Sequence, residues 1–251
     1  ETPRSVWFFY PISMTQKELP LIMLHGALGN TRQLQHLAEI LAHEHYVYLI
    51  EFEGHGGNPS QEEMSIHRFM ENVIVAMNRD GLEKANFFGH SMGGYVALQL
   101  ALEHPERVGK IFTLGTKFEW TSEFANGEKA KLDPERILEK IPSYARYLED
   151  LHHGADWREV VRQTGEMMVR MGEGERIHES DLKKIQVPVI VAVGELDKMV
   201  SWQETKKAAE LLPNGKPLLI GDVVHPIDKV LPEQILPQLL EFLSEPIQAN
   251  P

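Results

Sequence analysis

The chain has no cysteine among its 251 residues. That excludes a cysteine nucleophile, thiolate metal ligation and disulfide bonding at once. It leaves the compartment open, because a secreted protein need not carry disulfides. Basic residues are also in short supply, 25 Lys and Arg against 37 Asp and Glu, for a formal net charge of −12. Such a balance repels phosphate backbones and anionic lipid surfaces, so neither nucleic acid nor a membrane is an expected partner. No apolar run approaches the ~18 residues of a membrane span. Val6–Tyr10 is apolar but too short for the core of a signal peptide. The expected location is therefore cytoplasmic. A secreted or periplasmic one stays open, since the sequence starts at Glu1 rather than a methionine. Internal repeats, low-complexity tracts and an H-E-x-x-H metal motif are missing as well.

What is present is an alternation of short apolar runs with amphipathic stretches, the pattern of βα units around a mostly parallel sheet. Val6–Tyr10, Leu21–Leu24, Tyr46–Phe52, Asn86–Phe88, Val108–Leu114, Val187–Val193 and Lys216–Ile220 read as strands, about seven in all. Arg32–His43, Ser65–Arg79, Met92–Glu103, Ser201–Leu212 and Pro232–Leu243 read as helices. Between Lys117 and Lys184 no strand-like run occurs. Asp133-Pro134 signals a helix start, Pro142 should break that helix, and Asp156 should cap another carrying an apolar stripe from Trp157 to Met171. The expected organisation is a core of residues 1–116 and 185–251 with a helical cap at 117–184.

Gly89-His-Ser-Met-Gly93 is a G-x-S-x-G placed between an apolar strand and a helix. A sharp strand-to-helix turn strains the serine backbone and leaves no room for neighbouring side chains, which explains the flanking glycines. A serine hydroxyl is a weak nucleophile until a base takes its proton, and that base is usually a histidine oriented by a carboxylate. Asp197 lies just after one buried strand and His225 just after the next, both where open α/β sheets bind ligands. Glu195 and Asp222 compete with Asp197, but Asp222 is only three residues from His225. Of the 12 histidines most must be structural. His25 and His55 suit bracing of glycine turns, and His90 suits packing or hydrogen bonding. His152 and His153 end a helical stretch, where cations suit the helix dipole.

These motifs resemble the α/β-hydrolase fold superfamily, close to its small-molecule esterases and C–C hydrolases. The resemblance spans residues 19–243. It is carried by Leu24-His-Gly-Ala27, Gly54-His-Gly56, the Gly89–Gly93 elbow, the stretch from Leu182 through Pro188 to Asp197, and His225-Pro226. It implies Ser91 as nucleophile, His225 as base, Asp197 as its partner, and the backbone N–H groups of Ala27 and Met92 as an oxyanion hole. The implied reaction is hydrolysis of a small, partly apolar carboxylic ester through an acyl-enzyme, with no cofactor or metal, by a monomer or homodimer. His25, Leu28, His90, Phe118, Trp120, Trp157, Met168 and Met171 are candidate pocket residues. C–C bond hydrolysis, thioester cleavage, acyl transfer and a non-catalytic receptor all fit the same fold. Dehalogenases and epoxide hydrolases fit poorly, because they carry Asp where this chain has Ser91. A menaquinone-pathway lyase fits poorly because Tyr95 stands where its relatives carry Arg.

Overall fold

The computed structural model describes residues 19–60 and 62–246. Six strands form one fully parallel sheet: β1 (Leu21–Leu24), β2 (Val47–Ile50), β3 (Ala85–His90), β4 (Val108–Leu114), β5 (Val189–Gly194) and β6 (Gly215–Ile220). Their order across the sheet is β2-β1-β3-β4-β5-β6. The count among the described residues is six rather than about seven, because the strand expected at Val6–Tyr10 lies outside them.

The central strands are buried on both faces, which is why they read as unbroken apolar runs in the sequence. The edge strand β6 is largely exposed and carries Lys216 and Pro217. A lysine and a residue without an N–H blunt an edge against further strand pairing.

Ten α-helices complete the described chain. In the core these are α1 (Gln35–Leu41), α2 (Ile66–Arg79), α3 (Met92–Glu103), α9 (Trp202–Leu211) and α10 (Pro232–Ser244). One core joins α2, α3 and α9 to one face of the sheet through Phe69, Val73, Val96, Leu100 and Ala208. A second joins α1 and α10 to the other face through Leu37, Leu41, Leu239 and Phe242. The helix read at Arg32–His43 begins as a 3-10 turn over Thr31–Leu34, capped by Asn30 accepting from the Arg32 N–H.

Between β4 and β5 come only helices: α4 (Ser122–Lys129), α5 (Pro134–Lys140), α6 (Pro142–Leu151), α7 (Trp157–Glu173) and α8 (Glu179–Leu182). Asp133 caps α5 by accepting from the Arg136 N–H, and Pro142 opens α6 after α5 ends at Lys140. Asp156 caps α7 by accepting from the Arg158 N–H. Among the described residues no helix is long and apolar enough to cross a membrane.

This topology fixes where a ligand can sit. From β1 the chain steps outward to β2, and from β3 it steps the other way to β4. The loops leaving β1 and β3 therefore diverge and open a crevice at the strand C-termini. Ala27 follows β1 and Ser91 follows β3.

Candidate active site

Ser91 sits in the turn between β3 and α3 with φ +51° and ψ −115°, backbone geometry that costs a non-glycine residue on the order of 1–3 kcal/mol. The surroundings hold it there. Its N–H donates to the Leu114 carbonyl at 2.8 Å, and its carbonyl accepts from Thr116 Oγ1 at 2.9 Å. A side chain on Gly89 would overlap the Gly94 backbone, and one on Gly93 would overlap the Leu24 and His25 carbonyls. Thr116, which carries no motif, was not apparent in the sequence.

His225 Nδ1 donates to Asp197 Oδ2 at 2.7 Å. The other carboxylate oxygen, Oδ1, accepts from the N–H groups of Met199 at 2.7 Å and Val200 at 2.9 Å. The Asp197 side chain is 1% exposed. Burial pushes its carboxyl up, but the His225 hydrogen bond and charge, with the two backbone donors, hold it below the ordinary value. Gly115, at φ +65°, gives this pair room: a Cβ there would lie 3.1 Å from Asp197 Oδ2 and 3.2 Å from His225 Nδ1. Glu195 and Asp222 are exposed, and Asp197 is the carboxylate paired with His225.

Ser91 and His225 line one cavity without a hydrogen bond between them among the described residues. Such contacts are commonly long in unliganded sites and tighten when substrate binds. Ala27 and Met92 flank Ser91, and among the described residues neither N–H has an acceptor within the chain. Met92 opens α3, so its N–H is one of the unpaired donors at the helix start.

Behind the crevice lies a set of buried histidines. His25 Nδ1 donates to the Gly26 carbonyl, and Nε2 accepts from the Phe52 N–H at 3.2 Å. His90 Nε2 donates to the His225 carbonyl at 2.8 Å, leaving Nδ1 buried and unpaired. His152 Nε2 donates to the Leu28 carbonyl at 3.1 Å, and Nδ1 accepts from the Gly56 N–H at 2.9 Å. Burial drives His25 and His152 down to about 4 and His90 to about 3, and holds His55 well below its usual value. This corrects the expectation that His152 serves as a helix-end cation: it is fully buried and acts as a neutral bridge.

The pocket candidates divide. Leu28, His90 and Met168 line the cavity that holds His225, while Trp120, Met168 and Met171 line an adjoining slot beside Ser91. Three expectations fail. His25 is fully buried behind the loop it braces. Trp157 packs against Ile137, Leu148 and Val161 in the core of the helical insert, because the α7 stripe wraps onto two partners. Phe118 lines a separate outer groove, held there by its N–H donating to buried Glu204 at 2.6 Å. Phe124, a further wall candidate at the start of the insert, lines the slot as expected, while Ile66, Met199, Tyr144 and Tyr147 are wall residues missed in the sequence. They come from distant elements and share no pattern.

The chain belongs to the α/β hydrolase fold family, whose sequence pattern matches residues 20–147, half of its length. A protein of Pseudomonas savastanoi pv. phaseolicola named "Putative carbamate hydrolase RutD" is 24% identical over 254 residues, covering 90% of this chain and 95% of that protein. The 2-hydroxymuconate semialdehyde hydrolase of Pseudomonas putida is 25% identical over 187 residues, covering 68% of this chain and 66% of that protein. Among solved structures, the enol-lactonase from Burkholderia xenovorans LB400 aligns with a TM-score of 0.72 at 18% identity, covering 91% of this chain and 92% of that one. These relatives are hydrolases by name.

The neutral histidines make acid stability testable. Each is depressed in the folded state, so the unfolded chain binds its proton more tightly. Their contribution is complete above pH 6.5 and drains away as pH falls toward 4. The melting temperature should drop by on the order of 10 °C between pH 6.5 and pH 4. Calorimetry across that range checks it, and a flat profile contradicts it.

Proposed function

We propose that this chain is a serine hydrolase that cleaves a neutral carboxylic ester through an acyl-enzyme. The observation that carries the reading is the buried Asp197 carboxylate on His225 Nδ1, beside a serine held in a strained turn. With Nδ1 donating to Asp197, His225 Nε2 is the ring nitrogen free to accept the Ser91 proton. Ser91 Oγ attacks the ester carbonyl carbon as that proton passes to Nε2. The carbonyl oxygen becomes an oxyanion facing the Ala27 and Met92 N–H groups, where one such donor contributes about 3–4 kcal/mol. The intermediate collapses, Nε2 hands the proton to the leaving alkoxide, and the alcohol departs. A water then repeats the sequence on the acyl-Ser91 ester, releasing a carboxylic acid and restoring the serine.

The charge lining the cavities favours a neutral ester over the carboxylate substrates that the names of some C–C hydrolases imply. Among the described residues no arginine lines either cavity. Lys117 is paired with Glu204 at 3.1 Å, and Lys229 shares the cavity wall with the carboxylates of Asp228 and Glu128. A carboxylate would lose its hydration without a free bidentate partner. The helices of residues 117–184 act in this reading as a cap, since Trp120, Phe124, Met168 and Tyr147 from that stretch wall the cavities.

Ser91→Ala should lower kcat for 4-nitrophenyl acetate at least about 1,000-fold, and Asp197→Asn on the order of 1,000- to 10,000-fold, with both proteins still folded. Steady-state kinetics on the purified variants decide this. Equal rates for wild type and Ser91→Ala would refute the serine mechanism.

A further inference from the structure

Two cavities meet at Ser91. One is a slot of about 40 Å³ walled by Ile66, Met92, Tyr95, Phe124, Met167 and Met171. The other is a chamber of about 490 Å³ walled by Leu28, Leu132, Tyr144, Tyr147, His225 and Ile227. Ala27, Ser91, Glu128, Met168 and Met199 border both.

We propose that the slot takes the acyl group and the chamber takes the leaving group, so that the substrates are short-acyl esters of bulky aromatic alcohols. The proposal rests on the serine-hydrolase reading above. The assignment of sides follows from proton transfer. The imidazole must hand its proton to the leaving oxygen, so the leaving group lies on the side His225 faces. His225 lines the chamber and not the slot. Size then sets the acyl length. At about 40 Å³ against about 490 Å³, the slot takes the smaller of the ester's two groups, a short acyl chain of the acetyl-to-butyryl class. Methionine thioethers and the Phe124 and Trp120 rings leave that space apolar.

The chamber lies within the ~300–1,000 Å³ range of sites that enclose whole small molecules. Tyr144 and Tyr147 stack in it with ring centroids 6.1 Å apart and planes 19° apart. The Tyr147 hydroxyl accepts from Gln33 Nε2 at 3.0 Å and contacts Asp228 Oδ2 at 3.5 Å, which holds that ring in place. A fixed tyrosine pair offers a flat apolar face to an aromatic leaving group.

The test measures kcat/KM for 4-nitrophenyl acetate, butyrate and octanoate, and for phenyl against 2-naphthyl acetate, whose leaving groups have similar acidity. Acetate and butyrate should exceed octanoate at least tenfold, and 2-naphthyl acetate should show the lower KM. Phe124→Ala should shrink the acetate-to-octanoate ratio at least fivefold and leave the naphthyl preference in place. Tyr147→Ala should erase the naphthyl preference and leave the acyl ratio in place. Octanoate turned over as fast as acetate by wild type, or each variant altering the other's preference, overturns the partition. Ester turnover independent of Ser91, or none at all, instead overturns the hydrolase reading beneath it.

A separate observation concerns the loop that carries Ala27. His152, at the end of α6, bridges the Leu28 carbonyl and the Gly56 N–H, and Asn30 Nδ2 donates to the Leu151 carbonyl at 2.8 Å. Leu28 itself sits at φ +57°, directly after Ala27. We infer that His152 is a positioning residue: the helical insert shapes the oxyanion loop through it. This too rests on the hydrolase reading. A thionoester probes the idea, because sulfur accepts hydrogen bonds poorly and draws little from an oxyanion hole. His152→Leu should cut kcat for an oxygen ester about tenfold with KM changed less than twofold, while the matching thionoester slows less than threefold. His152→Gln, which keeps a donor and an acceptor, should recover part of the loss and stands in if the leucine variant does not fold. Equal slowing of ester and thionoester by either folded variant, or no slowing, overturns the inference.

Discussion

The close approach of backbone to backbone around Ser91 is the constraint on which the remaining geometry depends. Gly89 and Gly93 have no side chain because the start of α3 presses against the end of β1 and against its own strand. That contact brings the β1 loop with Ala27 and the β3 turn with Ser91 to one point at the place where the chain reverses direction across the sheet. A side chain at Gly93 would push the β1 loop away from the β3 turn, and one at Gly89 would open the turn itself. The strain at Ser91 is held by ordinary ladder and threonine hydrogen bonds, so the cost is met by the sheet rather than by the site itself.

A second theme is the use of uncharged histidine as a rigid connector. His25, His90 and His152 each join loop carbonyls or N–H groups that a strand or helix leaves unpaired, and burial keeps them neutral. A neutral imidazole both donates and accepts, so one side chain can tie two segments where a lysine or arginine could only donate. His225 differs in having a carboxylate partner and an exposed edge. The same residue type thus supplies scaffold and candidate base, separated by environment.

The parts legible in the sequence were those governed by local pattern. Leu21–Leu24, Met92–Glu103 and Val108–Leu114 form the expected elements with the expected bounds, because burial on both faces or a glycine turn marks them directly. Asp133, Pro142 and Asp156 mark helix starts for equally local reasons. The nearness of Ser91, Asp197 and His225 could be anticipated because each follows a strand of one parallel sheet. The cavity walls could be anticipated only in part. Trp157 and Met171 share one apolar stripe, yet one packs inside the insert and the other faces the slot. Tyr144, Tyr147 and Met199 reach the site only through tertiary placement. His152 looked like a helix-end cation because its bridge to Leu28 spans 124 residues of chain.

A serine nucleophile at Ser91 becomes covalently acylated during turnover. Rapid acid quench of the enzyme with 4-nitrophenyl acetate, followed by intact mass measurement and peptide mapping, tests it most directly. The expected result is a mass increase of one acetyl group confined to the peptide containing Ser91, formed in step with a burst of nitrophenol. Turnover with no adduct, or an adduct on another residue with Ser91 unmodified, would contradict it.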